Sequence, residues 1–127
     1  MSWKCTVCVD FDGVIHSYTS KFTTIDEIKD PPVPGAFAWL EKMVNYEQGG
    51  NTFEVCIYSS RSKNWKGVKA MQAWFKENGL KDEVLRELLF PTQKPAASMT
   101  IDDRAFLFEG YFPKPDYILG FKPWNKR

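Results

Sequence analysis

Histidine occurs once in this 127-residue chain, as His16, and cysteine three times, as Cys5, Cys8 and Cys56. Four zinc ligands are therefore hard to assemble, even though Cys5 and Cys8 have C-x-x-C spacing, because residues three apart on an extended strand face opposite sides of a sheet. An odd number of cysteines, all inside apolar strand-like runs, also argues against a disulfide framework. No apolar run approaches the roughly 18 residues of a membrane helix, and the amino-terminal stretch meets an acid before a signal-like apolar segment is complete. These absences predict a soluble, cytoplasmic protein. An excess of one charge is missing as well: the formal net charge is +1, so sequence-independent binding to a nucleic-acid backbone has no electrostatic support.

What is present is an ordinary globular balance, 43% hydrophobic and 26% charged, enough for one compact domain over residues 1–127. The most informative stretch is VCVDFDGV, residues 7–14, where an apolar run stops at Asp10 and Asp12 with Gly13 beside them. A strand that ends in two acids and a glycine turn can present a side chain and a backbone carbonyl to a hard cation such as Mg2+, which takes oxygen ligands.

Residues 4–9 read as a buried first strand. Residues 14–34 are turn-rich, with Pro31, Pro32 and Pro34, and predict a loop or small hairpin, the one candidate inserted flap. Phe37, Leu40 and Val44 give a helix from Gly35 to about Glu47, stopped by Gly49 and Gly50. A second strand over 53–58 ends in Ser59-Ser60-Arg61-Ser62, and a helix through Val68, Met71 and Phe75 ends near Asn78-Gly79. A short helix over 82–88, a brief strand at Leu89-Phe90, a weak strand over 98–101 and an edge strand over 117–119 complete the reading. Strands alternating with helices predict a parallel α/β sheet with helices on both faces, whose ligands bind at the carboxyl ends of the strands.

Asp10, Asp12, Ser59, Lys94, Asp102 and Asp103 all fall at those ends. The set suits phosphoryl transfer: one carboxylate attacks phosphorus, a second acid moves protons, Mg2+ offsets the repulsion among the acids, and a hydroxyl and an ammonium hold the phosphoryl oxygens.

With its DxD after the first strand, a Ser after the second, a Lys and a late acidic pair in KPAASMTIDDRAFLFEG, the chain resembles the haloacid dehalogenase superfamily over residues 5–110, and in particular its small phage and bacterial hydrolase-like members. The resemblance implies a three-layer, Rossmann-like hydrolase domain and a Mg2+-dependent phosphomonoesterase. In it Asp10 is the nucleophile and Asp12 the general acid and base, giving its backbone carbonyl to the metal. Ser59 and Lys94 bind the phosphoryl group, and Asp102 and Asp103 complete the metal site. Only residues 13–34 separate the first strand from its helix, too few for a full cap domain. The implied partner is a phosphorylated small molecule or polymer terminus, nucleic acid entering only as substrate, and capless relatives often oligomerise.

Two other classes use parts of the set. One is a non-catalytic Mg2+ and phosphate-binding interaction domain. The other is a receiver-like phosphoacceptor domain, against which the order of the motifs argues, since receivers carry the acidic pair first. Arg61 and Arg104 read as loop-holding partners of acids, and Trp39 and Trp74 as core. Trp65, and Trp124 in the basic tail 122–127, read as candidate ligand contacts.

Overall fold

In the computed structural model, which describes residues 3–127, three parallel strands form the sheet: β1 (Trp3–Val9), β2 (Asn51–Ile57) and β3 (Met99–Ile101). Their order is β2-β1-β3, with β1 paired to β2 from Trp3↔Asn51 through Val9↔Ile57 and to β3 from Val7↔Met99 through Val9↔Ile101. Helices α1 (Ala36–Asn45), α2 (Trp65–Glu77) and α3 (Asp82–Glu87) lie between the strands in sequence, which makes this a Rossmann-like α/β fold. Val7, Val9, Val55 and Ile57 pack with Leu40 of α1, Met71 and Phe75 of α2 and Val84 of α3 into one apolar core. Cys8 and Cys56 are buried as well, so the carboxyl-terminal halves of both strands are covered on both faces, as their unbroken apolar runs require. No helix among the described residues is long and apolar enough to cross a membrane.

Two aromatic residues tie the segment that follows β1 to the helices. Phe11 is fully buried between the two acids of the DxD and meets Trp74 and Phe75 edge-on at 5.1 and 5.8 Å. Trp74 donates its indole N–H to Asp30 O at 2.9 Å, which anchors the far end of the loop over residues 14–34. Trp39 packs against the same core. Gly67 of α2 lies against the 3₁₀ turn Ser60–Lys63 so closely that a Cβ there would sit 2.1 Å from Arg61 O. We expect Gly67→Ala to push that turn away and lower the midpoint of thermal unfolding; an unchanged midpoint would contradict the packing.

Three elements differ from the sequence reading. Residues 117–119 are not an edge strand but part of a short helix, α4 (Pro115–Leu119). Pro115 occupies the first helical position, Asp116 the first turn and Gly120 the stop, and these local signals outweigh three β-favouring side chains. At 89–90 there is only a single parallel bridge, Cys56↔Leu89. Phe90 turns into the core, and Pro91 has no N–H with which to continue a ladder. Helix α1 ends at Asn45, before Gly49 and Gly50; Tyr46 turns extended and packs on Phe53, and the two glycines, at φ 62° and 83°, make the turn into β2.

The carboxyl-terminal tail returns to the loop after β1. Trp124 donates its indole N–H to Gly13 O at 2.7 Å, and Asn125 donates its amide to Ser17 O at 2.9 Å. The tail therefore fastens the turn that carries the DxD. Trp124→Ala is expected to cost about 1 kcal/mol, read by urea unfolding, and to loosen amide-exchange protection over residues 13–18.

Candidate functional site

Because β2 and β3 flank β1 on opposite sides, strand order reverses at the carboxyl end of β1, the place where open α/β sheets leave a crevice. Asp10 occupies that end: its N–H donates to Ile101 O at 2.9 Å, while on the other side Tyr58 N–H donates to Val9 O at 3.0 Å. The chain then turns, with the N–H groups of Ile15 and His16 both donating to Phe11 O, and Phe11 goes inward while the flanking carboxylates stay at the rim. A cavity of about 390 Å³ opens there, lined by Asp10, Asp12, Ser59, Asp102, Asp103 and Arg104, with Tyr18 and Ser60 at its edge. A second space of about 160 Å³ shares Asp10, Ser59 and Asp102 and adds Lys94. Five of the six residues singled out in the sequence thus line the crevice, and Lys94 lines the space that shares Asp10, Ser59 and Asp102 with it.

Within it, Asp10, Asp102 and Asp103 bring carboxylate oxygens within 4.8 Å of one another. These three can hold a metal ion. Burial, repulsion from Asp102 and a hydrogen bond shared with Asp103 push the Asp10 carboxyl up to about 8. Burial raises Asp103 too; its side chain is only 3% exposed, and its Oδ1 has no hydrogen-bond partner. A clustered carboxylate set with an orphaned buried oxygen fits a hard divalent cation, which supplies the missing partner and offsets the repulsion. Asp102 is exposed and accepts from Arg104 N–H at 2.8 Å, which turns the chain between the two acids.

Gly13 makes room for this cluster. Its φ is +87°, and a Cβ would stand 2.2 Å from Asp103 Oδ2. Gly13→Ala should therefore cost roughly 1–3 kcal/mol in backbone strain and displace Asp103. We expect it to weaken divalent-cation affinity at least tenfold in a calorimetric titration; unchanged affinity would separate Asp103 from the cation site.

Asp12 is set apart from the triad. Its Oδ1 faces His16 Nδ1 at 2.8 Å and its Oδ2 accepts from Arg61 Nε at 2.9 Å. His16 Nε2 accepts from Asp30 N–H at 3.1 Å, which assigns the ring hydrogen to Nδ1, donating to Asp12. Burial would raise the Asp12 carboxyl, but the His16 and Arg61 hydrogen bonds outweigh it and hold the group below its ordinary value. Arg61 is itself 1% exposed, and its Nη1 donates to the carbonyls of Thr24, Ile25 and Glu27 at 3.1, 2.7 and 3.3 Å. One guanidinium thus joins the DxD to the loop over residues 14–34, the loop-holding role its sequence position suggested.

Ser59 caps the 3₁₀ turn by accepting Arg61 N–H at 2.9 Å while still lining the crevice. Exposed Ser60 lines both spaces and carries an uncommitted polar side chain that sequence reasoning passed over as one member of a serine run. His16 is buried and serves Asp12. Arg104 is exposed, with Nε 3.9 Å from Asp103 Oδ2. Trp65 is exposed at the start of α2 and does not line the crevice. No family model and no curated protein matches this chain.

Proposed function

We propose that the protein is a Mg2+-dependent phosphomonoester hydrolase of the haloacid dehalogenase type, working through an aspartyl phosphate at Asp10. The observation that carries this reading is the convergence of the Asp10, Asp102 and Asp103 carboxylates at the carboxyl ends of adjacent parallel strands, with Ser59 on the same crevice and Lys94 on the space beside it. Asp10, Asp102 and Asp103 would hold the ion, with the Asp12 backbone carbonyl as a further ligand. When bound, the ion supplies positive charge to the phosphoryl oxygens and frees Asp10 of its proton.

Ionised Asp10 then attacks phosphorus; the P–O bond to the leaving group breaks, and the departing oxygen takes up a proton from solvent, because Asp12 is held ionised. In the second half, water attacks the phosphorus of the aspartyl phosphate, restoring the Asp10 carboxylate and releasing inorganic phosphate. Asp12 stands two positions from the nucleophile, and the clamp of His16 and Arg61 keeps it ionised, which suits accepting the proton of the attacking water. Lys94 and the Ser59–Ser60 hydroxyls suit the remaining phosphoryl oxygens.

The test is phosphate release from nucleotides, sugar phosphates, phosphorylated oligonucleotides and an aryl phosphate, with Mg2+ or with EDTA. Release that needs Mg2+ and disappears in Asp10→Asn supports the reading. Tight Mg2+ binding with no release from any substrate favours the non-catalytic binding domain, a reading to which the engagement of Asp12 and Ser59 in structural hydrogen bonds lends weight.

A further inference from the structure

Arg104 lines two spaces, the acidic crevice and a second, half-open cavity of about 140 Å³. The walls of the second are Phe106, Pro113, Tyr117, Ile118 and Phe121, with Phe106 and Tyr117 edge-on at 5.9 Å and Tyr117 tilted against Phe121 at 6.5 Å. Arg104 is the one charged residue of this lining. No acid is in the lining, which suits an uncharged, apolar occupant, and the Arg104 guanidinium favours a π-face.

Size narrows the occupant. An apolar cavity of about 150 Å³ accommodates benzene, so about 140 Å³ matches one six-membered ring and is tight for a fused bicycle. Position narrows it further, because Arg104 lines both this cavity and the crevice of the carboxylates that would receive a phosphoryl group.

We propose that this cavity is the leaving-group subsite of the phosphoryl site and takes a single six-membered ring, as in a pyrimidine nucleoside or aryl phosphate. The inference rests on the phosphomonoesterase reading for its chemistry: phosphorus passes to Asp10, and the ring-bearing alcohol or phenol departs with the ester oxygen and a proton. The ring preference itself is a matter of binding and is open to a separate test.

Phosphate release with Mg2+ is compared for phenyl phosphate, UMP, AMP and glycerol phosphate, in wild type, Phe106→Leu and the surface control Leu119→Ser. Ring stacking on aromatic walls gives discrimination of about tenfold or more. We expect kcat/KM for phenyl phosphate or UMP to exceed that for glycerol phosphate by at least that factor. The ratio should collapse in Phe106→Leu and persist in Leu119→Ser, with AMP poorer than UMP. A lead for UMP assigns the ring to a pyrimidine base, and a lead for phenyl phosphate alone assigns it to an aryl group. Equal rates for ring-bearing and ringless esters, or AMP equal to UMP where UMP leads over glycerol phosphate, overturn the subsite. If no ester is hydrolysed, the catalytic reading fails, and the subsite is decided by calorimetry with phenylphosphonate and methylphosphonate in the presence of Mg2+. At least tenfold tighter binding of the phenyl compound, lost in Phe106→Leu, upholds it, and equal binding sinks it.

Discussion

Replacing Asp10 by asparagine should abolish phosphate release while making the metal-free protein more stable at pH 8. On the proposed reading Asp10 is the nucleophile, so its loss removes the covalent route, and a fall in kcat of at least about 10³-fold is the usual scale for such a group. The stability gain follows from the same residue. The folded-state value of the Asp10 carboxyl is raised from 3.8 to about 8, so folding takes up a proton there. Its contribution is fully present below its unfolded value and is lost as pH rises toward 8. Asparagine has no charge to bury and escapes that loss; after allowance for partial exposure and screening, the difference is on the order of 1–3 kcal/mol. Urea unfolding of both proteins in EDTA at pH 5 and pH 8 reads it directly: the two curves should approach each other at the lower pH and separate at the higher. A nucleophile variant less stable than wild type at pH 8 would mean that the acids are not in conflict.

Arg61→Met should unfold at a midpoint about 10–20 °C lower than wild type. The guanidinium is the largest fully buried side chain, and its removal leaves Asp12 with one partner and three loop carbonyls without their donor. Breaking a buried charge pair on one side costs about 3–5 kcal/mol, and for a chain of this size each kcal/mol is worth roughly 3–5 °C. Asp12 sets the sign of the pH dependence. Its value is lowered by folding, so its contribution is present above its ordinary range and is lost as pH falls through the folded value. Arg61→Met should accordingly lose less stability than wild type on acidification below about pH 4. The double variant Arg61→Met, Asp12→Asn should recover part of the deficit, because no unpaired charge remains. No recovery would show that the bonds to the loop carry the whole effect.

The sheet and the crevice were largely legible in the chain. Largely apolar runs at 5–9 and 53–57, each with one polar residue, mark strands whose carboxyl-terminal halves are buried, and acids or serines at their carboxyl ends mark the rim. What could not be read is which side chains hold each acid. Asp10 and Asp12 look equivalent in sequence, yet one joins a carboxylate cluster formed with residues near 100 and the other is held by His16 and by Arg61, 49 positions away. Those pairings exist only after the loop over residues 14–34 folds back on the sheet. Arg104 was visible as a partner for an acid, but its place between two cavities depends on how residues 105–121 turn. The edge strand expected at Tyr117 failed for a simpler reason: Pro115, Asp116 and Gly120 are helix signals, and composition over three residues masked them.

The account rests on the claim that Asp10, Asp102 and Asp103 together hold a divalent cation. Calorimetric titration of Mg2+ into wild type, Asp10→Asn, Asp102→Asn and Asp103→Asn at pH 8 tests it without knowledge of the substrate. The account predicts one site in wild type, with proton release visible as heat that varies with the buffer, and affinity at least tenfold weaker in each variant. Binding that is absent from wild type, or equally strong in all four proteins, would contradict it.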